Sequence, residues 1–475
     1  MTTYAEQEVV KSYLIAKGLA AKARMQSAQV AQDFMEKDST RILGYLEEDL
    51  NKTFQAEDVA EFQLSYTNII PKIVRKLALL KKAPASISIP DHDSETEAIN
   101  KLLRGVGYHQ FMTEVHQAAT LHNTVMPGAV PDPTNEYGVR LVLLRPSVTY
   151  VQPKQNWYEA EWLKYPTIRR VDFREQIVWE YWSDEEHKYL QDNGAVVTGE
   201  GVKDPMKGHP GENPFIPYRL EQHNDFWGEG MSDLVNANRI LNFVLTAGLV
   251  ENIIMAGFGQ LLGVNLNLES LRLGPKHPVL VDDVGVDDKE PKLESIDLST
   301  HADEIQGFVD WFHKLNGTLQ GLPASSFASA EVAMSGYAKM LDSMELLERR
   351  ESEIPVIEPQ ERRFLRKILT VANKKRQVLD PKWADDLDIE YAPVTFPEMH
   401  KEKAEKWESR IRNKIATPVD WIMDIHKGMT RDEAKEHYTM IQEEAAELRM
   451  TLGNEEVPPF QPGDSGNGDN EEDQE

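Results

Sequence analysis

Two apolar helical stretches that bracket a glycine-rich segment constrain this chain more than any other feature. The first runs from Ser232, a predicted helix cap, to about Ala256 and carries apolar residues on several sides. At 1.5 Å rise per residue it would be roughly 40 Å long. The second opens with the capping-box spacing of Thr300 and Asp303. Because such helices need burial on several sides, both predict packing against copies of the same chain in a closed ring.

Residues 257–298, between the two helices, read as a small β module. Glycines and Pro275 interrupt any regular helix there. The run HPVLVDDVG predicts a strand and a turn, and Leu293, Ile296 and Leu298 predict a further strand. The chain is therefore expected to leave a helical body, form a β excursion and return.

The predicted fold class is α+β, mainly α. The 475 residues exceed what one compact core usually holds, so two or more substructures are expected. Residues 1–83 read as helical, including an amphipathic stretch over 62–83, whereas 138–182 contains three strand-like runs, GVRLVLL, TIRRVDF and QIVWEYW. A sheet core is favoured over an aromatic binding surface for four tryptophans in this region: Trp157, Trp162, Trp179 and Trp182.

The C-terminal half reads as long helices separated by clear breaks. Residues 322–329 (LPASSFAS) predict a loop, and the long helix that follows is expected to break or kink at Pro355 and Pro359. Thr417 and Thr430 each precede an acidic residue by three positions, which is the spacing of a capping box. The acidic tail 453–475 contains no lysine or arginine and is expected to be disordered.

The composition excludes several classes of site. A net charge of -27, from 52 basic and 79 acidic side chains, opposes adhesion to nucleic acid but suits a surface past which DNA slides. The lack of cysteine excludes disulfides, thiol nucleophiles and thiolate metal sites. The N-terminus has no signal-peptide pattern, and Glu251 and several asparagines interrupt the apolar stretch 240–268, so no membrane span is predicted.

No motif assigns a catalytic residue, a cofactor or a metal. The chain has no ATPase-type phosphate loop, nucleophile elbow or zinc-protease helix. The run GFGQLLG at 257–263 has the wrong spacing for a dinucleotide loop. Aspartate pairs at 282–283 and 287–288 fit no cation-binding loop geometry, which favours a solvated acidic turn.

Three histidines share one predicted helical stretch: His109, His116 and His122. A metal site that includes Glu114 is conceivable, but this glutamate points elsewhere on the helix. Ordinary surface or hydrogen-bonded histidines are the favoured interpretation.

The best candidates for phosphate contacts lie in the basic run between residues 362 and 376. They are Arg362, Arg363, Arg366 and Lys367. The alternative, which we favour, is a solvated helix face that pairs with acidic neighbours or subunits.

The order of these parts resembles that of the portal proteins of tailed double-stranded DNA phages. The run NPFIPYRLEQHNDFWGEGMSDLVNANRILNFVLTAGLVENI is similar to the family's proline-containing strand, Gly-x-Ser-Asp-Leu turn and long helix. AEVAMSGYAKMLDSMELLERRE resembles the helix after the family's tunnel loop, and GMTRDEAKEHY a recurring late helix start. The resemblance extends from about Phe62 to Arg449.

The resemblance implies a division of the chain into the parts of a portal subunit. These are 1–229, N-terminal helices and β-rich wing; 230–257, first stem helix; 258–298, clip; 299–321, second stem helix; 322–330, tunnel loop; 331–400, kinked wing helix and strand; 401–452, helical crown; and 453–475, acidic tail. The DNA-facing residues implied for the tunnel loop are Pro323, Ala324, Ser325, Ser326, Phe327, Ala328 and Ser329.

The resemblance also implies a function and a set of partners. Such a chain would form a dodecameric ring at one vertex of the virion capsid, assembled in the host cytoplasm, through which double-stranded DNA passes without sequence-specific contacts. Its partners would be copies of itself, the major capsid or scaffold protein, the terminase large subunit and the head–tail adaptor, with no membrane and no enzymatic activity. The alternatives are another virion ring component, such as a head–tail adaptor or minor head protein, and an uncharacterised hydrolase.

Overall fold

The computed structural model describes residues 21–60, 62, 64–155, 158–199, 202, 206, 209–221, 223, 225–250, 260–264, 292–296, 302–327, 341, 343–378, 380–392, 400–426 and 429–451. Helices outweigh strands within these residues, which confirms the α+β, mainly α fold class. Contacts divide the described residues into two compact units, one up to residue 392 and one from His400 onward.

The first unit contains helices and strands in alternation, and the second is helical. The helices are α1 (21–36), α2 (Ser39–Asn51), α3 (Ala56–Val59), α4 (Ile70–Leu77), α5 (Asp93–Gly105), α6 (Tyr108–His122), α7 (Ser232–Val244), α8 (Ala302–Leu319), α9 (Met344–Ala372), α10 (His400–Arg412), α11 (Pro418–Ile425) and α12 (Arg431–Thr451). The strands are β1 (Ser86–Ser88), β2 (Thr124–Pro131), β3 (Val139–Leu144), β4 (Tyr150–Pro153), β5 (Ala160–Val171), β6 (Arg174–Ser183), β7 (His187–Leu190), β8 (Tyr218–Arg219), β9 (Gln260–Val264), β10 (Lys292–Ile296) and β11 (Asp388–Glu390).

All described sheets are antiparallel. The larger two have the orders β3-β2-β8 and β4-β5-β6-β7, and β1 pairs with β11. The three predicted strand runs form β3, β5 and β6. The β5–β6 hairpin closes through Asp172 and Phe173, which both have positive φ, as a two-residue turn of this kind requires.

The β excursion between the two apolar helices is confirmed where the structure describes it. Strands β9 and β10 pair in register from Gln260–Ile296 to Val264–Lys292. β10 contains the predicted apolar residues Leu293 and Ile296, whereas β9 arises from a run whose glycines gave no strand signal. The predicted HPVLVDDVG strand and the 282–283 and 287–288 aspartate pairs lie outside the described residues.

The largest core forms where α9 crosses the three-stranded sheet. Its fully buried residues include Ile357, Phe364 and Ile368 of α9, which pack with residues of α5, α6, β1, β2 and β11. Phe364 stacks with Tyr108 at 6.3 Å between ring centroids. Burial of these large apolar side chains fixes α9 as the element around which the first unit is organised.

A buried carboxylate ties four segments together at this core. Glu361 of α9 is fully buried and forms an ion pair with Lys81, which is also buried. The Tyr108 hydroxyl donates to Glu361 Oε1 at 2.6 Å, and the Tyr391 hydroxyl donates to Oε2 at 2.7 Å. Burial lowers the pKa of Lys81, and the Glu361 carboxylate partly counters that shift. Since both carboxylate oxygens are occupied, the desolvation of this charge is compensated.

The long helix was expected to break or kink at its two prolines; the break is wrong, and the kink stays a prediction. α9 is continuous from Met344 to Ala372 and contains both Pro355 and Pro359. The Gln360 amide donates to the Val356 carbonyl at 2.7 Å and the Arg219 carbonyl at 2.9 Å, so a side chain fixes this stretch to β8. Packing of the buried face and this side-chain bond hold together a helix that lacks two backbone donors.

Of the four helix starts predicted from the sequence, two are confirmed, the one at Ser232 is wrong, and Thr300 of the fourth lies outside the described residues. Ser232 does not cap α7; Met231 precedes the helix and donates its N–H to the Leu121 carbonyl at 2.8 Å. A Cβ on Gly230 would lie 2.5 Å from that carbonyl, so the close approach of the backbone dictates the start. The predicted capping boxes at Thr417 and Thr430 are both present.

The sequence predicted a helical stretch over 62–83, but the structure has only the shorter helix α4 at Ile70–Leu77. The residues before it, 64–69, form neither helix nor strand, and two side chains of α7 bind their backbone. Asn238 accepts from the Ile69 N–H at 3.2 Å and donates to the Thr67 carbonyl at 2.8 Å. Asn242 accepts from the Thr67 N–H at 2.9 Å. These bonds satisfy backbone groups that a helix would otherwise pair.

Replacing Glu361 with alanine is expected to lower the free energy of unfolding by about 3–5 kcal/mol, because Lys81 would remain buried without its carboxylate. Chemical denaturation of the purified protein measures the change in the free energy of unfolding. The matched control is Glu348→Ala, which removes an exposed carboxylate from the same helix and should change stability by less than about 0.5 kcal/mol. Equal effects of the two substitutions would contradict a stabilising role for the buried pair.

Candidate assembly and DNA-contact surfaces

α7 buries both apolar and polar side chains, and it also exposes two apolar ones. Its inner side carries the buried Asn238 and Asn242, and Arg239 forms a bidentate pair with Asp49 of α2 at 2.8–3.0 Å. On the opposite side, Ile240 is 62% exposed and Val244, one turn later, is also exposed. The outward face of α7 therefore carries exposed apolar side chains in addition to the apolar residues of its buried face, and it is suited to contact with a second surface.

α7 continues as a π-helical segment, Leu245–Val250, instead of the uniform α-helix predicted from the sequence. Within it, the buried Thr246 hydroxyl donates to the Ser65 carbonyl at 3.2 Å. Residues 251–256 of the predicted helix lie outside the described residues.

α8 presents a continuous apolar row to solvent. The row comprises Phe308, Trp311, Leu315 and Leu319. Their spacing of three and four residues places them on one side of the helix. Trp311 is 56% exposed and Leu319 is 72% exposed, whereas Asn316 and Gly317 on the inner side are buried. Both helices that flank the β9–β10 excursion therefore expose large apolar side chains.

The predicted loop after α8 is described as far as Phe327, and both ends of this described part pack against other residues. Leu322 is buried in the core that α4 shares with α1 and α2, and residues Ala324–Phe327 form one 3₁₀ turn. Phe327 packs against Gly317 so closely that a Cβ there would lie 2.0 Å from the ring. Ser325 is exposed, and Ala328 and Ser329 lie outside the described residues. The assignment of 323–329 as DNA-facing stays a prediction.

Most of the basic run on α9 is engaged in ion pairs. Arg362 pairs with Glu358 at 2.6 Å, and Lys367 pairs with Glu212 at 2.7 Å. Arg366 pairs with Asp385. This pairing agrees with the favoured alternative of a solvated helix face, while Arg363 lines an open pocket with Lys154 and Asp184. The phosphate-contact assignment of the four residues stays a prediction.

The three histidines of α6 point to different partners. His116 is fully buried, with its Nδ1 3.5 Å from the Tyr218 hydroxyl and its Nε2 3.6 Å from Glu353. His122 is buried against Gln32 at 3.2 Å. Burial, with some repulsion from nearby cations, lowers the pKa of both to about 3. His109 is only half-buried, so the favoured interpretation of ordinary histidines fits their surroundings.

The buried histidines predict a pH-dependent loss of stability. Their pKa is about 3 in the folded chain and 6.5 when unfolded, so the unfolded state binds more protons as the pH falls below 6.5. Each histidine should then lower the free energy of unfolding by up to about 1.4 kcal/mol per pH unit. The His116→Gln/His122→Gln variant should show a shallower slope between pH 6 and about 4.5 in denaturation titrations. A slope unchanged from that of the parent protein would contradict neutral burial.

The tryptophans of the β-rich region divide between two faces of the four-stranded sheet. Trp182 is buried and confirms the predicted sheet core. Trp162 and Trp179 lie half-buried on the other face, where Trp162 stacks with Tyr181 at 5.7 Å. Trp157 lies outside the described residues. The alternation of strand side chains explains the division, since Trp162 and Trp182 occupy opposite sides in the register.

The described ranges contain no group of three side chains arranged to hold a metal ion. Across the same ranges, no helix is both long and apolar enough to cross a bilayer.

Comparison with known proteins gives structural likenesses only. No protein-family model and no curated protein matches the sequence. Among solved structures, a chain from the neck of an empty GTA particle computed with C6 symmetry is 13% identical, with a TM-score of 0.40 over 78% of this chain and 92% of that chain.

Two further solved chains are similar to this one. A chain from the virion of the native gene transfer agent (GTA) particle is 13% identical, with a TM-score of 0.35 over 73% of this chain and 85% of that chain. A chain from the neck of a native GTA particle computed with C12 symmetry is 12% identical, with a TM-score of 0.37 over 74% of this chain and 88% of that chain. TM-scores this low do not establish a common fold, so these likenesses carry no functional conclusion.

Proposed function

We propose that the chain is a non-enzymatic portal subunit of a phage-like virion. Copies would form a ring whose channel carries double-stranded DNA into the capsid and out of it. The ring would also dock the terminase large subunit and the head–tail adaptor and sit against the major capsid or scaffold protein. A dodecamer is the ring size that the sequence resemblance implies.

The apolar faces of the two helices flanking the β9–β10 excursion carry this proposal. One chain leaves Ile240, Trp311 and Leu319 exposed, and the inner side of α7 is already occupied by hydrogen bonds to residues 67–69. Contiguous exposed apolar surface of this kind marks an interaction site. A head-to-tail contact buries one helix face against another surface of the next copy. Where the rotation between copies closes, the result is a ring in which every subunit makes the same contacts.

Within this proposal the named parts keep the boundaries that the resemblance implies. α7 and α8 serve as stem helices, the β9–β10 excursion as part of the clip, α9 as the wing helix, and α10 to α12 as the crown. Residues 323–329 form the loop that approaches the duplex.

The Trp311→Glu/Leu319→Glu variant is expected to abolish the ring, because burial of two carboxylates in an apolar contact is strongly unfavourable. Mass photometry and negative-stain microscopy of the purified protein measure the outcome. The parent protein should give closed rings with a central hole, and the variant should give single subunits that remain folded by circular dichroism.

Two control variants separate the apolar contact from general effects. Gln306→Glu adds a negative charge to an exposed position of α8 away from the apolar row and should leave the ring intact. Trp311→Phe/Leu319→Met keeps the face apolar and should also assemble. A parent protein that stays a single subunit at micromolar concentration, or a double glutamate variant that still forms rings, would refute the proposal.

The Ser325→Glu variant tests the loop separately from the ring. Ser325 is exposed on the 3₁₀ turn, so the substitution should leave assembly unchanged while its charge repels the duplex. We expect fewer filled particles in a packaging assay with the variant than with Ser325→Gln. Equal filling by the two variants would argue against a DNA-facing position for this turn.

A further inference from the structure

Two lysines on α4 lie beside the 323–327 turn without a carboxylate partner in the described part of the chain. Lys72 and Lys76 are one helical turn apart and therefore share a face. Lys72 Nζ lies 5.0 Å above the Phe327 ring, and Lys76 Nζ donates to the Ser326 carbonyl at 3.4 Å. The opposite face of α4 is buried, with Ile73, Val74 and Leu77 in the core. The helix thus holds both ammonium groups at the turn.

The electrostatics of this face are unusual for a chain of net charge -27. Burial lowers the pKa of Lys76, and repulsion from Lys72 and Lys82 lowers it further, which shows that like charges surround it. Arg75 adds a further cation in the last turn of α4. By contrast, Arg362, Arg366 and Lys367 of α9 each have a carboxylate within ion-pair distance.

Two carboxylates lie near the turn, but neither forms an ion pair with these lysines in the described part of the chain. Asp310 of α8 acts on the neighbouring His313, and Glu345 of α9 lies near Gly321. No ion pair joins either carboxylate to Lys72 or Lys76 among the described residues. Concentrated positive charge that is kept clear of carboxylates favours a polyanion.

We propose that Lys72 and Lys76, with the 323–327 turn, form a binding site for the backbone phosphates of duplex DNA. Lysine ammonium groups act as point charges that suit phosphate oxygens in any register, so the contact reads no sequence. The site differs from the α9 run, where acidic partners compete with phosphate. The inference rests on the proposed function, because the duplex reaches this turn when it passes through the ring.

The test measures binding of a fluorescent duplex of about 20 base pairs to the purified full chain by anisotropy across about 50–200 mM salt. Lys72→Ala/Lys76→Ala is expected to weaken binding by about tenfold at the lowest salt. The slope of log affinity against log salt should become shallower by about 0.9 for each phosphate that the variant no longer neutralises. Lys72→Arg/Lys76→Arg should retain both the affinity and the slope, which separates an effect of charge from an effect of packing on Phe327.

The matched control is Lys101→Ala/Arg104→Ala. These residues are exposed cations three positions apart on α5, and the described residues provide no carboxylate partner for them. The control removes the same charge from a distant helix and should leave duplex binding unchanged. If both double variants weaken binding equally, the effect comes from net charge and the proposed site is refuted.

Two further outcomes complete the test. Polyglutamate that binds the parent protein more tightly than the duplex does, at equal charge concentration, and loses this binding in the lysine variant would assign the face to an acidic polypeptide and overturn the DNA assignment. Mass photometry of the same samples reports ring formation independently. Absence of rings in every sample would refute the portal proposal, whereas intact rings with unchanged duplex binding by Lys72→Ala/Lys76→Ala would refute only the α4 site.

Discussion

The burial of one carboxylate organises the first unit of this protein. Glu361 lies near the middle of the long helix α9 and binds Lys81, Tyr108 and Tyr391, which come from three other parts of the chain. A buried charge is tolerated only where its oxygens are fully occupied, so these partners must be in place together. The same helix passes its buried face across the three-stranded sheet and shares its core with α5, α6, β1 and β11.

One face of each of the two helices around the β9–β10 excursion is left uncovered by the rest of the unit. α7 is fixed by polar contacts to α2 and to residues 67–69, and α8 is fixed at its C-terminal end by Leu322 and Phe327. Ile240 and Val244 of α7 and the apolar row of α8 face outward. An association between subunits can use these faces without rearranging the core, because the contacts that hold each helix in place are on the other side.

Local signals in the sequence predicted local structure well. The capping boxes at Thr417 and Thr430, the helices α5 and α6, and the strands β3, β5 and β6 all follow from side-chain spacing and turn chemistry. Tertiary contacts decided the failures. Asn238 and Asn242 bind the backbone of residues 67–69, where no helix forms, and Gln360 helps to keep a helix intact through two prolines. The same limit applies to the candidate DNA-contact residues. The basic run on α9 could be recognised in the sequence. Its acidic partners, and the face of α4 on which the described residues place no carboxylate, could not, because they depend on how the chain folds.

The π-helical segment that follows α7 has a consequence for how this region tolerates change. Hydrogen bonds from each residue to the fifth along the chain accommodate an extra residue that an α-helical turn would not hold. Deletion of a single residue within Leu245–Val250 can therefore be absorbed by reverting that turn to regular α-helix, without sliding the preceding helix along its partners. Insertions and deletions between related chains should accumulate in this π-helical segment, while Asn238 and Asn242 keep their positions opposite residues 67–69.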